Sequence, residues 1–316
     1  MAAGRFVFVL MAPFRQTVTT DGDEFMLAVP GAAGRLVRTG YGTNHAAVTA
    51  YDLGIVRLGV LDVGFPAVAE AEVVGDSIVT CTMLNAPGPG TWDGVHLERG
   101  QSFVYPAGTS HHARDPAGLR FALTTVSWST FESAALDLGF DPTQATRRHV
   151  VAGGALASVL SALGSDSDAT IADRFGAERL VDAAVRTVCG NVVEVAGRGP
   201  VRRFDDADLV HEVVAFLEAG DEWMVPNLVL CRHVGVSERR LQSAFGRIFG
   251  VGPNAYMRHR ALQAAHRRLR RESPATIQIA ALGRSLGFAH LGRFAGYYRD
   301  IYGESPSTTL ARSPSR

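Results

Sequence analysis

Two segments near the C-terminal end each read as helix, tight turn, helix. That repeated unit constrains the fold more than any other feature of the chain. The first unit spans residues 226–249. Pro226 suits the first turn of a short helix, where its missing N–H costs nothing. Gly235 then permits a left-handed turn, and Ser237 is a good N-cap for a second helix. Leu241, Ala244, Phe245 and Ile248 recur at helical spacing and are predicted to point inward. Arg239, Gln242, Ser243 and Gly246 fall on the opposite side, flanked by Arg240 and Arg247. The second unit spans residues 276–302. Gly287-Phe288 marks its turn, and Phe294 and Tyr298 are core positions of its second helix. His290, Leu291, Gly292, Arg293 and Gly296 stay on or near the outer side, with Arg299 further along.

One such unit alone reads equally well as a solvated amphipathic pair. Two in tandem favour DNA, because they can enter successive major-groove segments on one face of the duplex. Recognition helices contact bases near their N-terminal ends. Arg239 is therefore matched to guanine O6/N7 and Gln242 to adenine N6/N7. Gly292 and Gly296 offer no side chain to a base edge. The second unit is expected to read few bases and to sit on phosphates through Arg293 and Arg299. Residues 253–272 between the units read as one long helix, with Tyr256, Leu262, Ala265 and Leu269 as its buried stripe. Arg258, Arg260, Arg267, Arg268, Arg270 and Arg271 decorate the rest, either as a solvated basic face or as phosphate contacts.

The run Val-Ser-Glu-Arg-Arg-Leu-Gln-Ser-Ala-Phe from Val236 resembles the DNA-binding domain of the AraC/XylS family of transcription regulators. So do Gly250-Val-Gly-Pro-Asn-Ala-Tyr-Met, Gly287-Phe-Ala-His-Leu-Gly-Arg-Phe-Ala and Tyr302-Gly-Glu-Ser-Pro-Ser. The resemblance covers residues from about 205 to 310. It implies a seven-helix domain whose first helix occupies 206–219. It also implies base contacts from Arg239, Gln242 and Ser243, then from Leu291, Gly292, Arg293 and Gly296. The two glycines depart from the long polar side chains of that family.

Charge agrees with this division. From Arg198 onward there are 18 arginines against 11 acidic residues, a net of +7. Residues 1–197 carry 13 arginines against 20 acidic residues, a net of −7. A basic C-terminal third suits a DNA-binding module joined to something that does not touch DNA. Cys81, Cys189 and Cys231 are scattered, without zinc spacing, and fit a reducing cytoplasm. The apolar run at 6–12 is read as a buried strand rather than a signal-peptide core, and no stretch is long enough to span a membrane.

The first 130 residues are β-rich. Strands are predicted over 35–38, 46–51, 56–60, 77–83, 101–105 and 120–128, separated by Gly, Pro and Asn turns. Gly100-Gln-Ser-Phe-Val-Tyr-Pro-Ala-Gly-Thr-Ser-His111 resembles the second conserved motif of cupins and implies a jelly-roll barrel. His111 stands where metal-binding cupins place a ligand, but the first cupin motif has no counterpart upstream. No metal and no cofactor are expected. The layout implies a small-molecule effector in the barrel. Arg57, Trp92, His96, Tyr105 and His111 are its candidate contacts, each with ordinary packing or surface exposure as the competing reading.

Helices are predicted over 131–138, 154–163 and 177–195. In the last, Leu180, Ala184, Val188 and Val192 form a stripe that is either core or a self-association face. The resemblance places dimerisation helices here. Residues 196–203, with Gly197, Gly199 and Pro200, read as a linker. The expected chain is an α+β multidomain protein. A cupin-like domain occupies 1–130, a helical extension 131–197, a linker 198–204 and the all-α DNA-binding domain 205–312. No catalytic constellation stands out, so an enzyme is not expected. The expected function is an effector-controlled, sequence-specific regulator on a double-stranded DNA operator. The resemblance adds a homodimer and RNA polymerase as partners. The alternatives are a cupin-type metal enzyme with an appended DNA-binding domain, and a constitutive DNA binder with the barrel as a dimerisation scaffold. The residues do not decide between activation and repression.

Overall fold

The computed structural model describes residues 15–19, 22–43, 45–146, 149–160, 176–190, 202–273 and 276–313. The predicted strand at 6–12 and most of the predicted linker lie outside them. The N-terminal part is two antiparallel sheets. The larger contains β1 (Arg15–Thr19), β3 (Ala46–Asp52), β4 (Val56–Val63), β6 (Ser77–Asn85), β9 (Gln101–Tyr105), β11 (Leu119–Ser127) and β12 (His149–Ala152), in the order β1-β3-β4-β11-β6-β9-β12. The smaller contains β2 (Ala32–Arg38), β5 (Ala67–Val73), β7 (Thr91–Trp92), β8 (Val95–His96) and β10 (Ser110–Asp115), in the order β2-β5-β10-β7-β8. Ladders among the described residues give two facing sheets and no closure between them, so the expected barrel is seen as a two-sheet stack.

Side-chain alternation explains how the large sheet is buried on both faces. In β11, Phe121 and Leu123 join Leu36, Leu61, Ala69 and Trp92 in the core between the sheets. Ala122 and Val126 face the other way, against Phe131, Leu156, Leu180 and Val185. Those four belong to α2 (Trp128–Asp137), α3 (Ala155–Leu160) and α4 (Ala177–Gly190). The stripe on α4 is therefore core within this chain: Leu180, Ala184 and Val188 are all at most 1% exposed. Val192 lies outside the described residues. Residue Trp128, predicted as the end of a strand, starts α2 instead. The Ser127 side chain accepts a hydrogen bond from the Thr130 N–H and caps the helix.

Strands β1, β5, β7, β8 and β12 and one short helix escaped the sequence reading. The short helix α1 (Gly22–Ala28) packs Phe25 and Met26 over one end of the inter-sheet core. Strand β5, Ala-Val-Ala-Glu-Ala-Glu-Val, has low β-propensity, and its position between β2 and β10 decides its conformation.

The C-terminal part holds seven helices among the described residues. They are α5 (Arg202–Ala219), α6 (Asn227–Val234), α7 (Glu238–Ile248), α8 (Pro253–Arg271), α9 (Ile279–Ser285), α10 (Leu291–Tyr302) and α11 (Pro306–Ala311). Helix α8 divides its length between two cores. Tyr256 and Met257 pack with Leu230, Leu241 and Phe245 of the first unit. Ala261, Leu262, Ala265 and Leu269 pack with Leu282, Phe294 and Tyr298 of the second. One rigid helix thus fixes the two units to each other.

The two parts of the chain also share a core. Val37 and Val68 of the small sheet belong to the same apolar cluster as Val210, Val214 and Phe249. The Arg38 N–H donates to Gln263 Oε1 at 3.2 Å, and the Arg38 guanidinium lies 4.6 Å from the Phe65 ring centre and 5.2 Å from that of Tyr302. Arg35 pairs with Glu218, and Arg271 Nη2 reaches Glu24 Oε1 at 2.5 Å.

Candidate nucleic-acid interface and inter-sheet cavity

The first unit is built as its residues dictate. Gly235 ends α6 at φ 67°, a left-handed conformation that glycine adopts without penalty. The Ser237 hydroxyl then accepts from the Arg240 N–H at 3.3 Å and starts α7, with Glu238 placed favourably against the helix dipole. Leu241, Ala244, Phe245 and Ile248 are buried, as their spacing predicts. Arg239 and Gln242 are exposed and Ser243 is half-buried beside them.

In the second unit Gly287 has φ +85°, and a Cβ there would meet Met224 Cγ at 2.6 Å. Only glycine fits that turn. Phe294 and Tyr298 are buried, while His290, Gly292, Arg293 and Arg299 are exposed, and Leu291 and Gly296 are half-buried. A Cβ at Gly292 or Gly296 would meet nothing within 4 Å, so both glycines line a smooth outer surface. A cleft of about 410 Å³ separates the units, lined by Asn254, Arg258, His290, Arg293 and Tyr297 among others.

The structure sorts the arginines into two groups. Arg240 pairs with Asp206, and Arg247 holds the same carboxylate at 2.5 and 3.1 Å. Asp206 is 2% exposed, so these flanking arginines have an intramolecular task that the sequence reading did not assign. Arg260, expected on a solvated face, is 6% exposed and bonds the Leu217 carbonyl and Glu218. Arg258 lies over the Tyr297 ring at 4.4 Å, and Arg268 pairs with Glu272. Arg239, Arg293 and Arg299 make no ion pair among the described residues.

In the N-terminal part, three of the five candidate contacts converge. Trp92, Tyr105 and His111 line a cavity between the sheets with Phe25, Leu36 and Phe121. Its volume is about 60 Å³, well below the roughly 300–1,000 Å³ of sites for drug-sized ligands. Arg57 and His96 are exposed and line no part of it. The Trp92 indole N–H donates to Asp115 at 2.7 Å, and the Tyr105 hydroxyl donates to Asp93 at 3.1 Å. His111 Nδ1 lies 2.7 Å from the Tyr105 hydroxyl. Burial pushes the Asp115 carboxyl up to about 6, against the pull of the Trp92 bond. Burial also opposes ionisation of Asp93, but His111 and His112 outweigh it and hold that carboxyl far below the usual range. Asp115, which lines this cavity, was not legible as a site residue, because nothing in its local sequence marks a carboxylate that will face an apolar cavity.

The comparisons bear on the C-terminal part. Residues 230–312 match a family model described as a helix-turn-helix domain. The chain is 35% identical over 108 residues to the "Probable thc operon regulatory protein" of Rhodococcus erythropolis, covering 34% of this chain and 32% of that protein. It is 35% identical over 98 residues to the "XylDLEGF operon transcriptional activator" of Pseudomonas putida, covering 31% and 30%. The match therefore spans about a third of the length of these relatives. Among solved structures, a probable AraC family transcriptional regulator from Rhodopseudomonas palustris is 37% identical, covering 34% of this chain and 99% of that one, with a TM-score of 0.31. The AraC-like transcriptional activator CuxR is similar at 17% identity, covering 80% and 96%, with a TM-score of 0.37. Fold and geometry define a tandem helix-turn-helix DNA-binding domain. Over that domain the chain is similar to transcription regulators of the AraC/XylS type.

Proposed function

We propose that this protein is a sequence-specific transcription regulator whose α7 reads bases and whose α10 is seated on phosphates. The observation that carries the reading is the sorting of the arginines. Arg240, Arg247, Arg260 and Arg268 are paired with Asp206, Glu218 and Glu272, whereas Arg239, Arg293 and Arg299 are exposed on the two second helices without an ion pair among the described residues. Arg239 and Gln242 follow directly on the Ser237 cap, where a recognition helix meets base edges. Open space at Gly292 and Gly296 supports a backbone-contacting role for α10, with Arg293 and Arg299 as counter-charges. The operator is double-stranded DNA, bound by a homodimer that works with RNA polymerase, as the resemblance implies.

A small apolar effector in the inter-sheet cavity completes the reading. Trp92, Tyr105, His111 and Asp115 supply a few polar atoms within an apolar wall, the usual composition of such sites. The cavity must enlarge to admit an effector, and Phe25 and Met26 of α1 form part of its wall. Selection of binding sites from random duplexes tests the DNA reading. One preferred sequence, lost at a single base pair in Arg239→Ala, is expected. Equal retention of all sequences by the intact chain defeats it.

A further inference from the structure

Strand β10 carries two adjacent histidines that alternation sends to opposite faces. His111 faces the inter-sheet cavity, whereas His112 faces the seam with the DNA-binding domain, 6.2 Å from Phe249 and 6.1 Å from His211 between ring centres. Glu70 stands directly opposite His112 in the β5–β10 ladder. His211 comes from α5 and hydrogen-bonds Glu70. The donor atoms of Glu70, His112 and His211 all lie within 4.8 Å of one another.

His112 is 2% exposed, yet neither ring nitrogen has a hydrogen-bond partner. Its Nε2 lies 3.5 Å from Glu70 Oε1, and its Nδ1 lies 3.7 Å from Asp93 Oδ1. The first separation is long for a hydrogen bond. It matches the roughly 3.4 Å between two ligand atoms that each sit about 2.05 Å from a tetrahedral zinc ion. Asp93, on the other side of the ring, takes the position of the carboxylate that orients a metal-bound imidazole. Asp93 is itself held in place, accepting from the Tyr105 hydroxyl at 3.1 Å and from the His112 backbone N–H at 2.9 Å. Glu70 and His211 also line an open cleft of about 240 Å³ with Ser110 and Glu218. The cleft gives an ion a way in and leaves room for water as a fourth ligand.

We propose that Glu70, His112 and His211 bind one divalent transition-metal ion, zinc by ligand type, which ties the sheet domain to the first helix of the DNA-binding domain. One carboxylate and two imidazoles are a borderline donor set that suits zinc, cobalt or nickel rather than calcium or magnesium.

The test uses the full chain, titrated calorimetrically with zinc chloride, and with cobalt chloride followed by visible absorption. One ion per chain and tetrahedral cobalt bands are expected. His211 is 47% exposed on its side chain, so His211→Gln leaves the fold intact while removing one ligand. It is expected to weaken zinc at least tenfold, and Asp93→Asn by about 10–100-fold. His96→Gln, exposed and outside the cluster, is the control and retains wild-type affinity. Equal zinc affinity in wild type and His211→Gln overturns the proposal, as does no binding by the wild type at 100-micromolar-scale zinc. None of these readouts involves DNA, so they stand or fall apart from the regulator reading.

Discussion

Replacing Asp206 with alanine should loosen α7 and free two arginines at once. The Asp206 carboxylate is 2% exposed and gathers Arg240 and both Nε and Nη2 of Arg247. Desolvating a carboxylate costs several kcal/mol, and the charged hydrogen bonds offset that cost. Removing one partner of a fully buried pair typically costs about 3–5 kcal/mol. Here the arginine side chains are 35% and 56% exposed and can return to water, so the penalty must be discounted. A loss of about 2 kcal/mol is expected, or a fall in Tm of about 4–8 °C. The released guanidiniums flank the helix that enters the groove. Each new phosphate contact would steepen the dependence of log Kd on log salt by about 0.9. Thermal melts and a salt series with scrambled duplex DNA measure the two effects. A Tm change under about 1 °C together with an unchanged salt slope would refute both the ion-pair account and the sorting of arginines built on it.

Arg239→Ala and Gln242→Ala should each cost about 1–3 kcal/mol on the cognate site and relax preference at one base pair, read by competition binding with point-substituted duplexes. Arg293→Ala should weaken cognate and scrambled DNA by a similar factor and flatten the salt slope by about one unit; a loss confined to one base pair would make α10 a base reader. The fragment 205–316 should bind DNA and 1–197 should not, as gel shifts would reveal. The fragment should melt below the full chain, because Val37 and Val68 leave its core. Burial, with help from Arg258, lowers His259 to about 4, and burial with Arg270 and Arg38 lowers His266 to about 3. Both are neutral when folded and take up protons on unfolding, so their contribution is present above about pH 6.5 and is lost as pH falls toward 4. Urea denaturation at pH 7 and pH 5 should give a smaller difference for His266→Gln than for wild type, and an equal difference would contradict the assignment.

The DNA-binding domain was legible because its signals are local. Pro226, Gly235 and Ser237 punctuate α6 and α7 within a dozen residues, and the buried stripe of α7 follows helical period. Strands with alternating β-branched residues were also readable, as at 46–52 and 77–85. Strand β5 was not, because alanine and glutamate have no preference for a sheet until β2 and β10 enclose them. The stripe on α4 looked the same whether it met another chain or its own sheet, and periodicity carries no information about which surface covers it.

Sequence by itself determined the tandem units, the inward faces of their second helices, the charge division and three cavity-lining residues, Trp92, Tyr105 and His111. All of these rest on neighbours within one or two elements. Only the tertiary structure decided which arginines are committed to Asp206, Glu218 and Tyr297, and that two domains share one core across Val37, Val68 and Phe249. It alone brought Glu70, His112 and His211 together from three elements separated by up to 141 positions. Charge pairing and ligand convergence depend on distances through space, and no residue spacing along the chain encodes those until the sheets and helices have packed.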